Sequence, residues 1–240
     1  PLSADSYSGA KKSVFLTLAS DLVADSKPKV AIAEGGAVSD SAGNAINVGR
    51  TVRLYERAGV AGIHIEDQVA PKKCGFFDGK LVIPADEATK KVQAAVEART
   101  DDDFVIIARC DAYAVTGWND TVDRCQAYAQ AGADMVFVDG INTVDDLELY
   151  ASDLAGLPRM YNGDLLPTPE VAALGYKLMI CGSTIWLVYK QIHDAFEELK
   201  TTGRVNPERY GKRMDVANLL GLDQVYEMEK RYRTVAATET

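Results

Sequence analysis

An excess of positive charge is the first thing this 240-residue chain lacks. Its 26 Lys and Arg stand against 35 Asp and Glu, for a net charge of −9. Nucleic acids and anionic membrane surfaces select basic proteins, so neither is expected as a partner. An acidic total leaves room for a locally cationic site that takes an anionic small molecule. Long apolar runs are missing as well. None approaches the ~18 residues of a membrane span, and Val14–Leu18 is too brief for the core of a secretory segment. Cys74, Cys110, Cys125 and Cys181 contain no Cys-x-x-Cys pair. Reduced thiols in the cytoplasm, or alternatively in a mitochondrial matrix, are the expectation. No linker, low-complexity tract or break in composition divides the chain, which predicts one domain over residues 1–240.

What is present is alternation. Short apolar runs at Val30–Ala33, Ala61–Ile65, Phe104–Ala108, Met135–Val138, Leu157–Tyr161 and Lys177–Cys181 are mostly apolar on consecutive residues. Parallel strands covered on both faces have that character. Between them lie helical patterns at Val48–Ala58, Asp86–Ala98, Asp120–Ala131, Val144–Leu154 and Ile185–Lys200. In Asp120–Ala131 the residues Val122, Cys125, Tyr128 and Ala129 fall at helical spacing. Strand and helix in regular alternation predict an α/β fold with a parallel sheet. A doubly wound sheet shares this pattern. A (β/α)8 barrel is favoured because Glu34, Glu66, Arg109, Asp139 and Asn162 each close an apolar run, and barrels assemble their sites from such positions. The segment Met214–Tyr232 reads as extra helices that pack on the barrel or on a neighbouring subunit.

Two segments concentrate the chemistry. In Ile63-His64-Ile65-Glu66-Asp67-Gln68, strand alternation puts His64 and Glu66 on one face and the isoleucines on the other. Glu66 then points into the barrel mouth, where a carboxylate needs a cation or donors; a structural ion pair would satisfy it equally. In Pro71-Lys72-Lys73-Cys74-Gly75, two lysines and a glycine give Cys74 a cationic, flexible setting that favours the thiolate. Such a cysteine can donate a proton to a carbanion, or be incidental on an exposed loop. Arg109 suits bidentate carboxylate recognition, and a salt bridge to Asp111 or Asp139 is the plain alternative. Cys110, Cys125 and Cys181 read as buried core thiols. His193, Trp118 and Trp186 read as surface or packing residues.

These motifs together resemble a known family. Ile65-Glu66-Asp67-Gln68 followed by Lys72-Lys73-Cys74-Gly75 is similar to the signature of the isocitrate lyase/phosphoenolpyruvate mutase superfamily. The likeness is greatest to its 2-methylisocitrate lyase and 2,3-dimethylmalate lyase branch. Ala108-Arg109-Cys110-Asp111-Ala112, Phe137-Val138-Asp139-Gly140-Ile141 and Leu174-Gly175-Tyr176-Lys177 follow in the family's order, over roughly residues 44–232. The resemblance implies a Mg²⁺ (or Mn²⁺) site that stabilises the enolate of an oxo-acid, and cleavage of a C–C bond in a 2-alkylmalate or methylisocitrate-like acid. It implies Glu66 in the metal shell, Arg109 on a substrate carboxylate and Cys74 as the proton donor to the carbanion. Gly35, Gly36, Asp139 and Asn162 would line the substrate pocket. It further implies a homodimer or homotetramer that exchanges a C-terminal helix.

Four departures accompany the likeness. Phe76 stands where the family has histidine, and Glu34 where it has serine. Phe15-Leu16-Thr17-Leu18 replaces tyrosine-aspartate-alanine-leucine, and Asp139 replaces glutamate. In addition, Ser39-Asp40-Ser41 runs almost directly into Gly43-Asn44-Ala45, as though the third β/α unit with its aspartate-x-aspartate motif were missing. Counting Val14–Leu18 as the first strand gives seven strands where a closed barrel needs eight. Three alternatives therefore stay open beside the lyase: an oxaloacetate hydrolase or decarboxylase, a phosphonate mutase, and a non-catalytic binding or oligomer-forming subunit.

Overall fold

The structure, a computed structural model, describes residues 17–18, 45–75 and 77–233. Expectations for Val30–Ala33, Glu34, Gly35, Gly36 and Phe76 lie outside the described residues. Two compact units emerge, residues 1–182 and residues 183–240.

Among the described residues the first unit is one sheet with helices packed against it. Its strands are β1 (Thr17–Leu18), β2 (Gly62–Glu66), β3 (Val105–Cys110), β4 (Met135–Val138), β5 (Arg159–Asn162) and β6 (Leu178–Ile180). Strands β2 to β6 pair in parallel, each beside its neighbour in sequence. The helices between them are α1 (Ala45–Arg57), α2 (Ala85–Ala98), α3 (Trp118–Gln130), α4 (Val144–Asp153) and α5 (Thr168–Ala173). Each strand run expected within residues 45–182 forms a strand, with ends moved by up to two residues. Helix α5 was not expected: it is six residues long, too short for a periodic signal. One expectation needs correcting. The described part of the first strand, Thr17–Leu18, pairs antiparallel with β6, whereas barrel strands pair in parallel. Among the described residues the sheet stays open between β1 and β2.

Strand parity sorts the side chains. Ile63 and Ile65 pack with Val48 and Val52 of α1, Ala95 of α2, Phe104 and Ile106. Ala108, Cys110, Val136, Val138 and Tyr161 face the same helix layer. The alternate residues Ile107, Met135, Phe137, Met160 and Leu178 form a separate apolar floor on the opposite face. Continuing each strand by one step of two residues moves from that floor to Arg109, Asp139 and Asn162 at its rim. Burying such side chains contributes about 1.5–3 kcal/mol each. The floor therefore also fixes the direction in which the polar rim points.

The second unit is helical: α6 (Thr184–Thr202), α7 (Arg213–Leu219) and α8 (Leu222–Tyr232). Gly203, at φ +77°, ends α6 in the left-handed conformation that glycine adopts at little cost. None of the residues in these helices is buried. Trp186, Tyr189, Phe196, Met214, Leu219 and Met228 are all more than half exposed. Among the described residues no helix is long and apolar enough to cross a membrane.

Candidate functional site

At the C-terminal ends of β2, β3 and β4 the rim closes into a charged cluster. Glu66 and Arg109 occupy paired positions on adjacent parallel strands. Arg109 Nε lies 2.8 Å from Asp111 Oδ2, and its Nη2 lies 3.1 Å from Asp111 Oδ1. The same Nη2 sits 2.9 Å from Asp139 Oδ2, at ion-pair distance but off the hydrogen-bonding line, since that oxygen has no hydrogen-bond donor. Glu66 Oε2 takes Lys72 Nζ at 3.1 Å and stands 3.5 Å from Arg109 Nε. Both salt bridges foreseen for Arg109 are thus formed, and a third carboxylate joins them.

The electrostatics follow from burial. Burial pushes the Glu66 carboxyl above its usual range, opposed by the Arg109 and Lys72 charges. Asp139 is likewise pushed up by burial, with Arg109 the main opposing charge. Burial works against the Arg109 guanidinium, but the Asp111 hydrogen bond and the Asp139, Asp111 and Glu66 charges outweigh it and hold the proton more firmly. His64, one step below Glu66 on the inner face, is pushed down to about 4 by burial and then by the Arg109 and Lys72 charges. It is therefore neutral at physiological pH. Its ring stands 6.1 Å from Phe137, and its Nδ1 is buried with no hydrogen-bond partner.

The cluster is braced from behind. Asp67 points to the helix side, where its Oδ1 accepts the Asp111 N–H at 2.8 Å and its Oδ2 accepts the Tyr128 hydroxyl at 2.7 Å. Arg124 of α3 pairs with Asp67 at 3.3 Å and with Asp120 at 2.7 Å, and donates to the Ile83 carbonyl. These contacts tie the ends of β2 and β3 to α3.

The Lys-Lys-Cys-Gly segment folds back over the cluster. Lys73 N–H donates to Gln68 Oε1, and Gln68 Nε2 donates to the Lys73 carbonyl and to Asp111 Oδ1, all at 3.0 Å. Gly75 lies against Asp139, and the buried Lys80 ammonium donates to the Gly75 carbonyl. Cys74 is exposed. The Lys73 ammonium is held by the carbonyls of Asp78 and Gly79, and that of Lys72 by Glu66. Neither lysine is bonded to the thiol. Cys110 and Cys125 are buried as expected, but Cys181 is exposed. It follows the short strand β6, one residue beyond the sheet's cover.

The structure brings Glu66, Arg109, Asp139 and the residue after Cys74 together. Asn162 ends β5 next to Gly182, and no hydrogen bond or ion pair joins it to the Arg109 cluster. Sequence reasoning left Gln68 and Lys80 unassigned, and treated Asp111 only as a salt-bridge partner. Parity held the signal: Gln68 is two residues past Glu66, and Asp111 two past Arg109. Nothing comparable marked Lys80, whose position depends on the path of an irregular loop.

A divalent cation fits one feature of this cluster. Glu66 Oε1 is buried without a partner, and a hard carboxylate oxygen is the donor Mg²⁺ prefers. Mg²⁺ often takes only one or two carboxylates and completes its shell with water and substrate. Among the described residues no group of three or more His, Cys, Asp or Glu side chains could hold a metal by itself.

The comparisons agree with the motif pattern. The chain is 37% identical over 205 residues to a 2,3-dimethylmalate lyase of Eubacterium barkeri, covering 80% of this chain and 69% of that protein. It is 38% identical over 167 residues to a probable 2-methylisocitrate lyase of Corynebacterium glutamicum, covering 67% of this chain and only 54% of that one. Among solved structures, an oxaloacetate acetylhydrolase in complex with 3,3-difluorooxalacetate matches with a TM-score of 0.69 and 31% identity, over 80% of this chain and 68% of that chain. A phosphonopyruvate hydrolase in complex with oxalate and Mg²⁺ matches with a TM-score of 0.68 and 27% identity, over 86% and 75%. With the phosphoenolpyruvate phosphomutase family profile matching residues 30–200 as well, the chain belongs to the phosphoenolpyruvate mutase/isocitrate lyase superfamily.

Proposed function

We propose that this protein is a Mg²⁺-dependent carbon–carbon lyase acting on a 2-alkylmalate or methylisocitrate-like acid. The observation that carries the reading is Cys74, in Lys72-Lys73-Cys74-Gly75, drawn over the Glu66–Arg109–Asp139 cluster by Gln68 and Lys80. Lyases of the superfamily head the relatives described above. Because the chain spans between about half and 69% of their length, the activity is a proposal for this chain.

Each residue then has a task. Arg109 stays protonated at any working pH and offers its guanidinium edge to a substrate carboxylate. Asp111 holds that guanidinium in plane through two contacts, and Asp139 tunes its position. Asn162 lines the pocket from the end of β5, with Gly35 and Gly36 as further lining. As the C–C bond breaks, the substrate hydroxyl gives its proton to a carboxylate of the cluster and becomes the oxo group, and Cys74 delivers its proton to the carbanion left on the other fragment. Glu66 would hold the metal through Oε1, with Lys72 balancing its other oxygen. A bound Mg²⁺ or Mn²⁺ would supply Lewis-acid stabilisation of the negative charge that develops on the substrate's hydroxyl oxygen as it loses its proton.

In this reading residues 1–240 form one barrel domain that lacks its third β/α unit and carries a helical extension from about residue 185. The extension would exchange between subunits of a dimer or tetramer. A cytoplasmic or matrix location accords with the four reduced thiols.

A non-catalytic subunit is the second reading, favoured by Phe76 and by the missing aspartate-x-aspartate motif. Screening 2-methylisocitrate, isocitrate and 2,3-dimethylmalate for pyruvate or glyoxylate release, and oxaloacetate for oxalate or pyruvate release, with and without Mg²⁺, decides between them. Release from one of the first three supports the lyase. Oxalate or pyruvate from oxaloacetate alone moves the protein to the hydrolase or decarboxylase branch, and no turnover of any of the four acids sinks the lyase reading.

A further inference from the structure

We propose that Gln68 is a positioning residue of this site: its side-chain amide sets the backbone of Lys73, and with it Cys74, in register with the Asp111 carboxylate that aims Arg109. The proposal rests on the lyase reading only for its kinetic consequence; the geometry stands independently of it.

Every polar atom of the amide is engaged. A glutamine side chain has two N–H donors and one carbonyl oxygen. Here one N–H goes to the Lys73 carbonyl, the other to Asp111 Oδ1, and the oxygen accepts the Lys73 N–H, each at 3.0 Å. Both backbone groups of Lys73 are therefore paired by one side chain, as a neighbouring strand would pair them. Lys73 is itself exposed while Gln68 is buried, so the order in this segment is imposed from inside.

Asp111 Oδ1 receives Gln68 Nε2 and also Arg109 Nη2 at 3.1 Å. A shift of the guanidinium towards a substrate therefore moves the same carboxylate that anchors the loop. No residue other than glutamine offers two donors and an acceptor at this reach. Asparagine is a methylene too short, and glutamate has the shape but lacks both donors.

That contrast supplies the test. Q68E sets a carboxylate against Asp111 Oδ1 and against the Lys73 carbonyl, with Arg109 behind Asp111, and with Glu66 and Lys72 at the end of β2. In the full-length protein at pH 8, trypsin should cut Q68E after Lys72 or Lys73 at least ~10-fold faster than wild type, on the scale of a lost charge-assisted hydrogen bond. With whichever acid turns over, Q68E should lower kcat by at least ~10-fold with KM changed by less than about twofold, on the scale of one lost charge-assisted hydrogen bond; a glutamine that matters only to folding would leave kcat per folded molecule unchanged.

Loss of protection without lyase activity in either protein would leave the positioning role standing and remove the lyase reading. Wild-type protection in a Q68E enzyme overturns the proposal alone. Should Q68E not fold, hydrogen exchange on the wild type decides. The Lys73 amide should exchange at least ~10-fold more slowly than those of Lys72 and Cys74, and equal rates overturn the proposal.

Discussion

Gly75 occupies a place that no other residue can share with Asp139, for a Cβ added to Gly75 would fall 1.4 Å from Asp139 Oδ2. The loop can approach the carboxylate only because this position has no side chain. In G75A, either the loop lifts or Asp139 turns away from Arg109. Misplacement of a reacting group by about 1 Å costs on the order of 10²-fold in rate. Turnover of G75A should fall by about that much, while the far-ultraviolet circular dichroism spectrum stays unchanged. Full activity in G75A would mean that the loop need not close on Asp139 during the reaction.

The metal prediction follows from charge. Glu66, Asp111 and Asp139 face Arg109, Lys72 and Lys80, so three carboxylates meet three cations. A dicarboxylate entering alone would leave a buried double negative charge, which is costly. Entering with Mg²⁺, it leaves the balance unchanged. Oxalate and Mg²⁺ together should therefore raise the melting temperature by more than the sum of their separate effects, through joint binding to the native state. E66Q should abolish most of the joint shift. Additive shifts, or a shift that survives E66Q, would show that the cation binds elsewhere.

His64 gives the pH dependence. Its folded value of about 4 lies below the ordinary histidine value of 6.5. Above pH 6.5 the ring is neutral in both states, and its contribution to stability is fully present. Below that, the unfolded chain takes up a proton that the folded one refuses, so stability is lost as pH falls towards 4, by about 3 kcal/mol in all. The raised carboxyls of Glu66, Asp67 and Asp139 act in the opposite sense: their contribution is full at low pH and is lost as pH rises through their folded values. The comparison with H64Q isolates the histidine. Urea unfolding at pH 7, 5.5 and 4.5 should show wild type losing ground steadily to the variant, and a constant difference would mean that the ring is not held neutral.

Much of this arrangement is legible in the sequence. Strand β4 falls at the expected Met135–Val138, because four consecutive apolar residues between a glycine-alanine turn and an aspartate admit one register. Parity along β2 correctly sends Ile63 and Ile65 to the helices and Glu66 inward. What stayed hidden depends on contacts distant in sequence. Lys80 reaches Gly75 only after a loop doubles back through the bridge between Gln68 and Val82. Cys181 looked like a core residue beside Met179 and Ile180, yet β6 stops one residue short of it. Apolar neighbours indicate burial only while the strand lasts.

The helices of the second unit carry a prediction about assembly. Trp186, Tyr189 and Phe196 on α6, with Leu219, Leu220 and Met228 beyond it, are exposed. Exposed apolar side chains in this number are expected to serve an interaction surface. A second copy of the chain is the expected partner. Light scattering at micromolar concentration should give a dimer or tetramer, and W186E together with F196E should shift the population towards monomer. A monomer of about 26 kDa in the unmodified protein would remove the argument for subunit exchange.

The final prediction concerns the four thiols. Cys74 and Cys181 are exposed, whereas Cys110 and Cys125 are fully buried among the residues packed on α3 and α4. Iodoacetamide should therefore modify two thiols in the native protein and the remaining two only after unfolding. Under the proposed chemistry the two accessible thiols are not equivalent. C74S removes the proton donor but keeps a small polar side chain, so turnover should fall by ~10²-fold or more while the joint Mg²⁺–oxalate stabilisation persists. C181S, outside the cluster, should leave both unchanged and serves as the control for loss of an exposed thiol. If C74S keeps full turnover on the acid that wild type cleaves, another group protonates the carbanion. Oxaloacetate hydrolysis or phosphonate chemistry then becomes the better assignment for the site built by Glu66, Arg109 and Asp139.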